Sequence, residues 1–145
     1  MLRSLPITVV SLTLLFGCDD SESLRMKDTT EKLVGTWQRE DDANARHVLV
    51  LGVDGKFVEK IDVRRPGQPA ERMEFAGEWS YDGANLKRRF LQENGRQYSG
   101  GGMRFATFPL LSVNAAEFVV DDSIAKAKVT YRRTVSNENA ASRPL

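Results

Sequence analysis

The stretch RMEFAGEWSYDGANLKRRF, Arg72 to Phe90, alternates with unusual regularity. Met73, Phe75, Gly77, Trp79 and Tyr81 fall on one side of an extended backbone, and Arg72, Glu74, Ala76, Glu78 and Ser80 on the other. A period of two is the signature of a strand with one buried face; an amphipathic helix would repeat every three to four residues. Asp82-Gly83 interrupts the pattern with a dipeptide suited to a tight hairpin, and Leu86, Arg88 and Phe90 then resume it. The stretch predicts an antiparallel hairpin, wet on one face and buried on the other.

The same grammar extends in both directions. Asp54-Gly55 and Asn94-Gly95 are further hairpin signals, each predicted to form a type I′ turn, as is Asp82-Gly83, and Asp121-Asp122-Ser123 is a softer turn. Between the turns, short β-branched and aromatic runs predict strands at 35–40, 46–53, 56–64, 72–81, 84–93, 104–113 (with a break at Pro109), 117–121 and 125–135, and a brief pairing at 97–99. From Ala125 onward, Ala125, Ala127, Val129, Tyr131 and Arg133 share one face. The expected architecture is all-β: about eight antiparallel up-and-down strands that close into a barrel and so leave no free edge. A flattened sandwich is the alternative. One short N-terminal helix is expected at Asp28 to Val34, where Asp28 caps and Glu31 reaches back.

The chain has 145 residues, 21 basic and 20 acidic side chains and a net charge of +1. That is one domain's worth of chain, and a balance this even, with no basic cluster, argues against a nucleic-acid partner. The N-terminus has Arg3, then an apolar run from Leu5 to Phe16. A membrane-spanning helix needs about 20 such residues, so the run fits the apolar region of a signal peptide instead. The predicted division is a leader at 1–17, a lipidated cysteine and polar tether at 18–27, a barrel domain at 28–135 and a disordered tail at 136–145.

Leu15-Phe16-Gly17-Cys18 resembles the lipobox of bacterial lipoproteins. The resemblance implies that Cys18 receives a diacylglyceryl group, that the leader is cut after Gly17, and that the new amino terminus is acylated. Asp19 resembles the signal that holds enteric lipoproteins in the inner membrane, with the outer membrane as the alternative. Cys18 is the one cysteine, so the domain rests on its apolar core without disulfides. A second resemblance lies in Leu33-Val34-Gly35-Thr36-Trp37 behind a short helix, with Arg133 ending the last strand: this is similar to lipocalins and to small bacterial lipocalin-like proteins. The resemblance implies an eight-stranded barrel in which Arg133 packs across the indole of Trp37 as a structural pair. The middle Thr-Asp-Tyr motif of lipocalins is absent.

Nothing in the sequence spells out catalysis, and no cofactor is expected. His47 is the one histidine, expected as a half-exposed strand residue, and no second histidine or free thiol completes a metal site or a nucleophile pair. Gly100-Gly101-Gly102 precedes a strand rather than a helix, so it reads as a loop and not as a phosphate cradle. Asp41-Asp42 and Asp121-Asp122 fall in predicted turns with too few oxygen ligands for calcium. Two charges fall on faces that should be apolar: Glu59, between Phe57 and Ile61, and Arg88, between Leu86 and Phe90. A buried charge is costly unless paired. Glu59 and Arg88 are therefore candidates either for a structural ion pair or for holding the polar end of a ligand. In the second case Phe57, Met73, Phe75, Trp79, Phe90 and Tyr131 line the site. Two functions follow: a lipid-anchored periplasmic barrel that binds a small apolar or amphipathic molecule, or a filled barrel whose surface binds an envelope protein.

Overall fold

The protein is described by a computed structural model covering residues 20–41, 44–98, 104–123 and 126–134. The leader, Cys18, the Gly100–Gly102 run, Asp42 and the tail lie outside the described residues. One helix, α1 (Asp20–Leu33), precedes nine strands: β1 (Gly35–Glu40), β2 (Ala45–Leu51), β3 (Lys56–Val63), β4 (Glu71–Tyr81), β5 (Asn85–Glu93), β6 (Arg96–Gln97), β7 (Arg104–Val113), β8 (Glu117–Asp122) and β9 (Ala127–Arg133). All pairings are antiparallel. Each strand pairs with the next around a ring, except that β5 passes on to β7, and β9 returns to β1. The two-residue β6 is a spur: it pairs with Gln92 and Glu93 at the end of β5, beyond the point where β7 takes over. The ring is thus a closed eight-stranded barrel, as the alternation predicts.

Where the structure departs from the sequence reading, the reasons are local. The helix starts at Asp20, eight positions before the expected Asp28, so residues 20–27 are helical and not an irregular tether. Only Leu33 of α1 is buried, so an apolar stripe is missing. Good helix formers such as Glu22, Leu24, Arg25, Met26 and Lys27, with acidic groups in the first turn, hold it instead. Asn94 and Gly95 both have positive φ, as a type I′ turn requires, but at the other two turns only Gly55 and Gly83 do. Asp54 and Asp82 stay out of that region, and their carboxylates accept the backbone N–H of Lys56 and of Ala84 and Asn85. Asp121 and Asp122 belong to β8 rather than to a turn, and Pro109 does not split β7, which slips register between Leu110 and Ser112.

One end of the barrel is plugged. Here α1 runs beneath the strands, with the Met26 sulfur beside Gly83 in the β4–β5 turn and Leu33 fully buried below the core. The Trp37 indole N–H donates to the Leu33 carbonyl at 2.7 Å. Arg133 lies 4.1 Å from the Trp37 ring centroid and donates to the carbonyls of Lys32, Val34 and Ala115. Its guanidinium therefore caps the helix C-terminus, where the last carbonyls lack partners, while stacking on the indole. The Trp37–Arg133 pair stands as a structural clamp, with Arg133 at the solvent edge of the barrel. Above it, Trp37 meets Phe118 edge-on at 4.8 Å, and Phe118 stacks on Tyr131 at 4.7 Å. Each such buried side chain contributes about 1.5–3 kcal/mol.

Candidate functional site

The opposite end, bordered by the β1–β2 turn, the β3–β4 loop and the β5–β6 turn, is the mouth. Three strands send charged or polar side chains inward just below it. Period two places Ala45, His47, Leu49 and Leu51 of β2 on the inner face, and Glu59 of β3 sits one pleat away, since Leu49 pairs with Glu59 and His47 with Ile61. Arg88 projects inward from β5, between Leu86 and Phe90. Glu59 and Arg88 are 4 % and 5 % exposed, and Arg88 Nη1 donates to Glu59 Oε2 at 2.7 Å.

His47 extends this pair. It is buried, not half-exposed as the sequence reading had it. Its Nδ1 lies 3.2 Å from Glu59 Oε1, and its Nε2 lies 3.3 Å from Asp41 Oδ2 at the end of β1. A continuous polar chain, Asp41–His47–Glu59–Arg88, thus runs from the rim into the barrel. Both ring nitrogens of His47 face carboxylate oxygens, and both contacts are donated together only when both nitrogens carry hydrogen. Burial alone raises the pKa of Glu59, but the hydrogen bond from His47 and the positive charge of Arg88 outweigh it, and the carboxyl is held down to about 2. The guanidinium of Arg88 is boxed by the rings of Phe108, Phe57 and Phe90, at 4.8, 5.5 and 5.5 Å, and its buried Nε has no hydrogen-bond partner among the described residues.

The structure brings part of the candidate set together. Phe57, Glu59, Arg88 and Phe90 form one cluster, with Phe75 edge-on to Phe90 at 5.8 Å. Trp79 sits nearer the plugged end, its indole N–H donating to the Gly52 carbonyl. Tyr131 belongs to the Phe118 stack, where burial, more than the charge of Glu59, raises its pKa. Met73 is half-buried on the mouth side. Phe57, Glu59, Trp79, Arg88 and Tyr131 are all buried and in contact with other side chains, so the barrel is filled from the plugged end up to the Glu59–Arg88 pair.

Open space lies at the rim and on the outside of the wall. Two depressions meet at the rim and share Glu40 and Asp41: one of about 610 Å³ beside Asn44 and Arg64, the other of about 800 Å³ along the seam between β1 and β9. That seam is short. The register of β1 on β9 covers only Trp37–Arg133 and Gln38–Arg132, and above it the strands part. Arg39 lies beside the gap, its guanidinium 5.3 Å from the Tyr131 ring centroid and its buried Nε without a hydrogen-bond partner among the described residues; Lys128, Thr130 and Arg132 line the other side. Among the described residues no three His, Cys, Asp or Glu side chains could hold a metal ion. Asp41 and Glu59 approach opposite nitrogens of His47 and do not converge on one point. Sequence reasoning found Glu59 and Arg88 but missed His47 and Arg39. The signal for His47 was present: Ala45, Leu49 and Leu51 share its face.

A closed antiparallel eight-stranded barrel, plugged by an N-terminal helix and clamped by a tryptophan–arginine pair, is lipocalin-like in architecture. No family model matches the chain, and no curated protein does. Among solved structures, a lipocalin-like protein from Bacteroides uniformis is similar at 16 % identity and a TM-score of 0.46, covering 71 % of this chain and 99 % of that one.

Proposed function

We propose that this chain is a lipid-anchored, non-enzymatic binding module of the bacterial periplasm that takes a small apolar or amphipathic molecule into the open half of its barrel. One observation carries the reading: charged groups are buried where stability alone does not call for them. Replacing a buried ion pair by an apolar pair of the same volume is often neutral or stabilising, so stability alone does not account for Glu59 and Arg88. Buried, perturbed titratable groups leading to an opening mark binding sites more often than bare cores do. The ligand's apolar part would lie against Met73 and Phe75. Its polar end would meet Arg39 at the seam and the Asp41–His47 contact at the rim, with Glu59 and Arg88 fixing the floor beneath.

The anchor rests on the residues around Cys18, with the inner membrane favoured by Asp19. A second reading, an envelope module that binds a protein through its surface, is supported by the filled plugged half. Native mass spectrometry of the full chain purified from bacterial membranes separates the two. A co-purified small molecule lost in an Arg39→Met variant supports ligand binding. A bare mass for the wild type, together with no uptake of octanoate or an uncharged alkane of similar length, refutes it.

A further inference from the structure

Most exposed large apolar side chains lie toward the plugged end, while Phe105 and Leu91 stand on the outer wall of β7 and β5 toward the mouth. Val53 is 90 % exposed at the tip of the β2–β3 turn. Leu24 and Met26 of α1 are exposed at the same, plugged end, and Leu111 stands outward on β7 close to it. None of these packs into the core. We infer that this plugged end is the face the protein presents to the phospholipid bilayer, with the mouth turned away; the inference rests on the proposed lipid anchor at Cys18.

The geometry leaves little choice once the anchor is granted. Cys18 precedes the first residue of α1 by two positions, a reach of about 7 Å when extended. The helix is not a free leash: Leu33 is buried in the barrel base, Arg133 and Trp37 grip its last turn, and Met26 rests on the β4–β5 turn. Whatever holds Cys18 at the lipid surface therefore holds the plugged end there too. The mouth lies a strand away: the seven residues of β2 span about 23 Å along the chain, less along the barrel axis because the strands tilt. Attraction to anionic lipid does not drive the contact, since Asp20, Glu22, Asp28 and Glu31 outnumber the basic Arg25, Lys27 and Lys32 along α1. Leu24 and Val53 instead present apolar surface to the interfacial layer, in a chain whose described helix is not long and apolar enough to cross it.

The test uses the full chain, purified from bacteria fed labelled palmitate and reconstituted into phosphatidylcholine vesicles carrying a nitroxide on the headgroup. A fluorophore is placed on Val53→Cys or, at the mouth, on Gln68→Cys. Palmitate incorporation with at least threefold stronger quenching at position 53 than at position 68 is expected. Palmitate incorporation with equal quenching, or stronger quenching at 68, overturns the orientation while leaving the anchor standing. Absence of palmitate overturns the anchor reading and the orientation with it.

Discussion

Replacing Glu59 by glutamine isolates the energetic weight of the buried polar chain. The native carboxyl is held at about 2 against an ordinary 4.5, so the folded state binds its proton more weakly than the unfolded chain does. Stability from this group is present in full above 4.5 and drains away as pH falls toward 2. At 1.36 kcal/mol for each pKa unit the gap corresponds to about 3 kcal/mol at neutral pH. Glu59→Gln keeps the size and loses the charge, leaving Arg88 buried beside a neutral amide. Urea unfolding followed by the fluorescence of Trp37 and Trp79 at pH 7, 4.5, 3 and 2.5 gives both stabilities. The variant is expected to be weaker by about 3 kcal/mol at pH 7, and the two curves should converge below pH 3. Other carboxylates with lowered pKa values, such as Asp82, titrate equally in both proteins and cancel. Curves that stay parallel from pH 7 to 2.5, or a variant as stable as the parent at pH 7, would refute the arrangement described for Glu59.

Three further outcomes follow from the packing. Gly77→Ala should destabilise by more than about 1–3 kcal/mol, because a Cβ there meets the Arg89 backbone and the Phe57 ring; a thermal midpoint within a degree of the parent would contradict that packing. Trp37→Ala should cost about 3–5 kcal/mol in chemical denaturation, whereas Arg133→Met, at the solvent edge, should cost only about 1–2 kcal/mol by losing the stacking and the helix cap; a reversed order would mean the clamp is wrongly described. Asn94→Ala loses the hydrogen bond that Asn94 Oδ1 accepts from the Glu74 backbone N–H and also forces alanine into positive φ, so it should cost about 2 kcal/mol, while Asn94→Gly loses only the hydrogen bond and should cost about 1 kcal/mol, both measured by urea midpoint.

How much of this could be read from the residues depends on how local the cause is. Strand alternation from Phe57 to Val63 and from Met73 to Tyr81 is written in single residues, and so was the inward aim of Glu59 and Arg88. The helix escaped in its first half because Asp20 to Lys27 carries no apolar stripe, and exposed helices are held by propensity and charge rather than by periodicity. His47 was misjudged because a lone histidine was weighed on its own instead of with Ala45 and Leu49 beside it. Arg39 and the seam were out of reach. How far β9 pairs with β1 depends on shear summed around the whole ring, and no local pattern encodes it.

In the proposed function an amphipathic molecule enters at the mouth, over the Asp41–His47–Glu59–Arg88 chain. Nitrogen-15 chemical-shift mapping during titration with octanoate tests it directly. Saturable shifts are expected at Arg39, His47, Met73 and Thr130, with Leu33 and Gly83 at the plugged end unmoved. Shifts confined to the outer surface, or none at millimolar probe, would contradict it.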